Sequence, residues 1–241
     1  MSAVAATLYG VGVGPGRPEL LTLEAVRVVG RAPVVAVPAT GAEGAGLALS
    51  VVESVVDLSE KEIMELAFPM TRDEAVRRGA RRAAAGRIAS RLREPSDVAF
   101  LTLGDPLFYS TFGYMAALVR EMAPETEVKV VPGVTSISAC AAAAGAVLVE
   151  GRESMAVIAD PRDTEGLKEA LERFDTVAVM KLKGAAREVA LVIEEAGLAE
   201  SAVFVERAGW PGERVLRDVG ALAEGDEADY FSIVIVKRSG F

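Results

Sequence analysis

The chain has 241 residues, 51% hydrophobic and 25% charged, with a formal net charge of -9 and a sequence pI of about 4.8. This is the composition of a globular protein with a substantial core, and its acidity argues against general nucleic-acid affinity, which needs a basic footprint. There is no histidine and a single cysteine, Cys140, so an intrachain disulfide, a Cys/His metal site and a histidine base are all excluded.

Met1 to Ala6 lacks the basic and apolar regions of a signal peptide. Thr7 to Val13 predicts a strand entering a glycine-rich turn, Gly10 to Gly16. Glycines alternate there and Pro15 interrupts, so the spacing is neither G-x-G-x-x-G nor a P-loop. The turn suits a ligand lying against bare backbone. Pro18 is placed for the first turn of a helix running to about Gly30, with Leu20, Leu23 and Val26 inward. Pro33 to Pro38 predicts a second buried strand, Gly41 to Gly46 a flexible loop, and Leu47 to Leu58 either helix or strand. Glu60 to Phe68 is read as a helical turn or two.

Asp73 to Arg93 predicts a helix. From Arg72 to Glu94 there are eight arginines against Asp73, Glu74 and Glu94, a local net of +5 in an acidic chain. A solvated helix face and a wall for an anionic ligand both fit. Val98 to Leu103 is an uncharged run that predicts a strand buried on both faces, stopped by Gly104-Asp105-Pro106. Tyr109 to Val119 then predicts a helix. A carboxylate therefore stands at the carboxyl end of a buried strand, where open α/β sheets bind ligands; a simple helix cap is the other reading.

Glu127 to Val131 predicts a strand ended by Pro132-Gly133, and Thr135 and Ser136 place hydroxyls at the start of an alanine-rich helix. Val130 to Val149 is uncharged over twenty residues, but its proline, glycines and hydroxyls predict a buried turn and helix, not a membrane span. The pattern restarts near Gly145, which places a boundary between domains 1–147 and 148–241. The second part reads strand 155–159, helix 164–174, strand 176–181, helix 185–196, strand 202–206, and two late strands, 214–219 and 230–236, able to pair with each other. The fold class is α/β, with a mostly parallel first sheet and a mixed second one.

Four stretches together resemble the tetrapyrrole methylases, which transfer a methyl group from S-adenosylmethionine. They are Tyr9 to Gly16, Leu103 to Pro106, Pro132 to Ser136, and the strand end Met180-Lys181. Leu20 to Ala25, Phe68 to Thr71, Phe100 to Pro106 with Tyr109 to Thr111, and Tyr230 to Ile233 are similar to the precorrin-2 carbon-20 methyltransferases and their cobalt-factor II counterparts. One departure is Arg17, where the family often carries an acid. The resemblance implies two α/β domains with a cofactor cleft between them and a homodimer; the N-terminal residues and the interrupted 130–149 run predict a cytoplasmic protein with no membrane partner, and the acidic charge predicts no nucleic-acid partner. It implies a cofactor pocket of Pro15, Leu103, Gly104, Asp105, Phe108, Thr135, Ser136, Met180 and Val205. The substrate would carry many carboxylates, for which Arg17, Arg72, Arg152, Lys181 and Lys183 are candidates by position. The tetrapyrrole is itself an enamine-like nucleophile, so no strong base is needed, and Tyr109 is the candidate for a weak acid–base role. Methylation of another corrin carbon, diphthine synthesis, and a nucleotide-binding regulatory module are the alternatives.

Overall fold

The structure is a computed structural model that describes residues 6–39, 44–94, 96–223 and 227–241. It falls into two compact units, Met1–Thr135 and Ser136–Phe241. This division lies twelve residues before the 147/148 boundary expected from the sequence, because the alanine-rich helix packs on the second sheet.

The first unit is a five-stranded parallel sheet of β1 (Thr7–Gly12), β2 (Val34–Ala39), β3 (Glu62–Ala67), β4 (Val98–Thr102) and β5 (Glu127–Val131), in the order β3-β2-β4-β1-β5. β4 is buried along its whole length, as its uncharged run requires. The chain leaves β1 toward β2 and leaves β4 toward β5, in opposite directions, so neighbours β1 and β4 form the switch point of the sheet. Helices α1 (Leu23–Arg31) and α2 (Gly44–Glu53) pack on β1, β2 and β4, while α3 (Glu74–Arg93) packs against α4 (Phe112–Met122). Phe100 and Phe112, with ring centroids 5.8 Å apart, sit in the core shared by β4, α3 and α4.

Several local expectations change here. Residues 60–68 are not helical: Glu62–Ala67 is edge strand β3, with Met64 and Leu66 buried and Glu65 and Ala67 exposed. That alternation has a period of two. The ambiguous 47–58 segment is mostly helix α2, and of the expected 41–46 loop, residues 44–46 lie in that helix while 41–43 fall outside the described residues. The first helix begins at Leu23, after a single 3-10 turn at Pro18–Leu20, with the Thr22 hydroxyl accepting from the Ala25 N–H at 3.1 Å. The later start shifts its phase, so Ala25 and Val29 face inward and Leu23 is 82% exposed.

The second unit opens with α5 (Ser136–Ala144). Its sheet holds β6 (Met155–Ile158), β7 (Thr176–Met180), β8 (Ala202–Glu206), β9 (Arg214–Leu216) and β10 (Ser232–Lys237), ordered β6-β7-β10-β8-β9. Helices α6 (Thr164–Arg173), α7 (Ala186–Glu195) and the short α8 (Gly220–Ala223) complete it. The two late strands do not pair with each other. β10 inserts antiparallel between β7 and β8, and β9 pairs with β8 at the edge. Phe204, Val177, Val179, Val234 and Val236 face α6, α7 and α8 in one core, while α5 packs on β8 and β10. Lys237, almost fully buried, donates to the Val147 carbonyl at 3.1 Å and to Glu153 Oε2 at 3.0 Å, anchoring the segment after α5.

Candidate functional site

In the first unit the site is built from three backbone turns at the carboxyl ends of β1, β4 and β5. The turn after β1 is stitched to the one after β4: Val13 N–H donates to the Thr102 carbonyl at 3.0 Å, Gly104 N–H to the Gly14 carbonyl at 2.7 Å, and Gly14 N–H to the Gly104 carbonyl at 3.3 Å. The third turn is packed almost as closely. A Cβ on Gly133 would stand 2.2 Å from the Gly104 oxygen and 2.9 Å from Gly12 Cα, and a Cβ on Gly12 would stand 2.7 Å from the Gly104 oxygen. Glycine is therefore fixed at these positions by backbone meeting backbone. Gly104 also has φ +71, a conformation that side chains disfavour.

Asp105 braces this arrangement. Its Oδ2 accepts from Gly133 N–H at 3.0 Å and its Oδ1 from Leu107 N–H at 2.8 Å. It does not cap α4, which starts seven residues later and receives the Ser110 hydroxyl at Phe112 N–H instead. Ser110 in turn meets the Thr102 hydroxyl at 3.0 Å. Each carboxylate oxygen of Asp105 keeps acceptor capacity beyond its backbone bond. Pro15, Leu103, Gly104 and Phe108 are all partly exposed around it, as is Thr135, two residues past Gly133. Tyr109 is 52% exposed, has φ 52, and lies edge-on to Phe108 at 4.9 Å.

In the second unit, Met180 and Val205 both pair with Ile233 of β10, one from each side. Side chains in register share a face, and this face is the one on which α5 packs, beginning at Ser136. Val205 is completely buried, whereas Met180 is partly exposed at the strand end. Lys181 follows β7 and Arg207 follows β8, each with a positive φ, 61 and 52. Arg207 extends the ladder through its N–H to the Phe231 carbonyl at 2.8 Å and pairs with Asp229 at 2.9 Å. Sequence reading missed Arg207, though its signal was the same as for Lys181: a basic residue at the end of an apolar strand.

The remaining basic candidates are all exposed. Arg17 is exposed and pairs with Glu19 at 3.5 Å. Arg72, Arg152 and Lys183 are exposed as well. A polar depression of about 370 Å³, lined by Tyr9, Glu24, Arg27, Arg31 and Asp97 among others, contains none of the candidates. It lies toward the opposite end of the first sheet, where Asp97 accepts from Thr7 N–H at 2.7 Å. Among the described residues no group of three or more Asp, Glu and Cys could hold a metal ion.

A doubly wound parallel sheet whose switch-point turns are bare backbone, followed by a mixed α/β unit, defines a class of ligand-binding enzymes. The comparisons specify which one. Residues 7–223 match the family model of the Tetrapyrrole (Corrin/Porphyrin) Methylases, and the chain belongs to that family of S-adenosylmethionine-dependent methylases. It is 32% identical over 231 residues to a cobalt-precorrin-2 C(20)-methyltransferase of Salmonella typhimurium, covering 96% of both chains. It is 36% identical over 242 residues to a precorrin-2 C(20)-methyltransferase of Sinorhizobium sp, covering 95% of this chain and 94% of the relative. Among solved structures, cobalt precorrin-4 methyltransferase matches with a TM-score of 0.71 at 25% identity, over 96% of this chain and 94% of that one. Uroporphyrin-III C-methyltransferase from Thermus thermophilus, complexed with S-adenosyl homocysteine, matches with a TM-score of 0.68 at 27% identity, over 96% and 97%.

Proposed function

We propose that this protein methylates precorrin-2, or its cobalt-bearing form, at ring carbon 20, with S-adenosylmethionine as donor. One observation carries the choice of carbon. The relatives named for carbon 20 are 32% to 36% identical over at least 94% of both chains. Those named for carbon 11, from Pseudomonas aeruginosa and Priestia megaterium, are 26% and 28% identical over 88% and 87% of this chain.

The residues present suit the cofactor. The β1, β4 and β5 turns offer backbone without intervening side chains, which lets a flat ligand approach closely. Asp105 has acceptor capacity for ribose hydroxyls or an ammonium group, and the Thr135 and Ser136 hydroxyls stand at the entry to α5. Phe108 and Met180 offer apolar, polarizable surface to the adenine. When bound, the cofactor supplies an electrophilic methyl. The protein's work is then to orient that methyl in line with a nucleophilic ring carbon and to exclude water. No imidazole is needed, and none exists in the chain. The reading further takes the enzyme to be a homodimer of the cytoplasm, which gel filtration and fractionation check. No helix among the described residues is long and apolar enough to cross a membrane.

The test is incubation with S-adenosylmethionine and either precorrin-2 or its cobalt complex, followed by mass spectrometry and carbon-13 labelling of the transferred methyl. One new methyl at carbon 20 is expected. A methyl at another carbon, or S-adenosyl homocysteine binding without turnover, would overturn the assignment.

A further inference from the structure

Helix α3 is 20 residues long and its neighbour α4 only 11. Both follow parallel strands, so both start at the carboxyl end of the first sheet and run the same way. The Arg81 guanidinium, on the eighth residue of α3, lies 4.0 Å over the ring of Tyr114, the third residue of α4. At their other ends Arg93, the last residue of α3, donates to the carbonyl of Met122, the last residue of α4, at 2.9 Å, so the extra length of α3 lies at its start. Burial agrees: no residue of α3 is buried before Ala84, and Val76 is 47% exposed. The helix overhangs its own sheet at the end where the candidate site lies.

Such an overhang gains little from packing and is held by local bonds. Asp73 caps it, accepting from Ala75 and Val76 N–H. Glu74 pairs with Arg77 and, at 3.7 Å, with Arg81, and Arg82 reaches Glu121 at 3.2 Å. Arg78 is exposed and has no ion pair among the described residues. The overhang keeps a positive surplus in a chain of net charge -9. Arg81, with its side chain only 21% exposed, backs the Tyr114 ring, yet that ring remains 53% exposed. A cation behind an aromatic face fixes the ring and leaves it available for contact. Leu107, on the β4–α4 loop five residues before α4 starts at Phe112, is 70% exposed as well.

We infer that Tyr114 and the overhanging arginines of α3 are a docking platform for the tetrapyrrole substrate. The inference rests on the proposed function and adds where the macrocycle is held. A flat conjugated ring fringed with carboxylates matches an immobilised aromatic face edged with guanidinium groups, both in apolar area and in charge. Tyr114 is then a positioning residue for the ring plane, and Arg78 and Arg81 receive carboxylates.

The test separates this from the assignment of the methylated carbon. Binding of uroporphyrin, an octacarboxylate, is followed by quenching of protein fluorescence, and S-adenosyl homocysteine binding by calorimetry. Tyr114→Ala and Arg78→Gln are each expected to weaken uroporphyrin binding by about tenfold, to raise the KM of the methylated tetrapyrrole in step, and to leave kcat and S-adenosyl homocysteine affinity unchanged. Tyr114→Phe keeps the ring and restores wild-type binding. Because Arg78 is exposed, its variant folds even where a change at Tyr114 disturbs α4. Failure of the wild-type protein to methylate carbon 20 overturns the proposed function alone, since the porphyrin titration still reports on the platform. Unchanged uroporphyrin binding in both variants overturns the platform, and so does a shift in oligomeric state in place of a binding loss, which would give the overhang to a second copy of the chain.

Discussion

The strand ends of the two units meet the same demand, a sharp turn at the carboxyl end of a buried strand, with opposite residues. After β1, β4 and β5 the chain uses glycine: at Gly12 and Gly133 a side chain would collide with the Gly104 oxygen, and Gly104 itself takes a left-handed φ of +71. After β7 and β8 it uses Lys181 and Arg207, in left-handed conformations that cost a non-glycine residue about 1 kcal/mol. The lesson is that turn geometry alone does not select glycine. Lack of space selects it at Gly12 and Gly133, whereas after β7 and β8 there is room for a charged side chain, and the strain is tolerated to keep one at the strand end.

The hardest blow to this contrast is a methyl group. Gly133→Ala puts a Cβ against the Gly104 oxygen with no flexible group to give way, and should cost about 3 kcal/mol in denaturant unfolding while abolishing S-adenosyl homocysteine binding. A variant of wild-type stability would show that the three turns are not in backbone contact. Gly104→Ala has room, its new Cβ coming no closer than 4.0 Å to the Val134 oxygen, so only the φ penalty of about 1–2 kcal/mol is expected. Asp105→Asn tests the brace. An amide can accept from only one of the Gly133 and Leu107 N–H groups, so a loss of about 1–2 kcal/mol and roughly tenfold in S-adenosyl homocysteine affinity is expected. Calorimetry showing full affinity would reduce Asp105 to a loop residue.

Most of this contrast was legible in the sequence, and the exceptions share a cause. β4 and β7 announce themselves as uncharged runs with abrupt stops, because a strand buried on both faces tolerates no unpaired charge. β3 hid because an edge strand may carry Glu62 and Glu65, whose spacing of three imitates a helix. The placement of β10 between β7 and β8 was invisible, since strand pairing is non-local and the segment's own residues specify no partner. In the site, Asp105, Gly104 and the hydroxyls stood out by type and position. That Asp105 binds Gly133 across 28 residues, and that Arg207 repeats the geometry of Lys181, required the fold.

On the other side of the contrast, Lys181→Gly should leave stability within about 0.5 kcal/mol of wild type. Relief of the left-handed conformation gains about 1 kcal/mol, and the added freedom of the unfolded chain removes most of it. A loss of 2 kcal/mol or more in thermal or denaturant unfolding would mean that Lys181 is a packing residue, and would remove the argument that strain there is kept for a charge.

The smallest effect concerns α5, whose small residues pack on the second sheet beside Met180 and Val205. Cys140 lies in this layer, 2% exposed, and burial first, then the nearby Glu213 charge, pushes its thiol up to about 12. A reactive cysteine needs the opposite shift, so Cys140 acts as a small apolar residue. At pH 8 iodoacetamide should leave the native protein unlabelled and label it readily in denaturant. Because folding raises this pKa, the unfolded chain loses its proton first, so the thiol's contribution to stability is complete below its ordinary value of 9.0 and is lost as pH rises from there toward 12. Cys140→Ala should flatten that alkaline decline and leave methyl transfer unchanged. Rapid stoichiometric labelling of the folded protein at pH 8 would mean that α5 opens from the sheet, and the face shared by Met180 and Val205 would then be a mobile surface instead of a fixed wall.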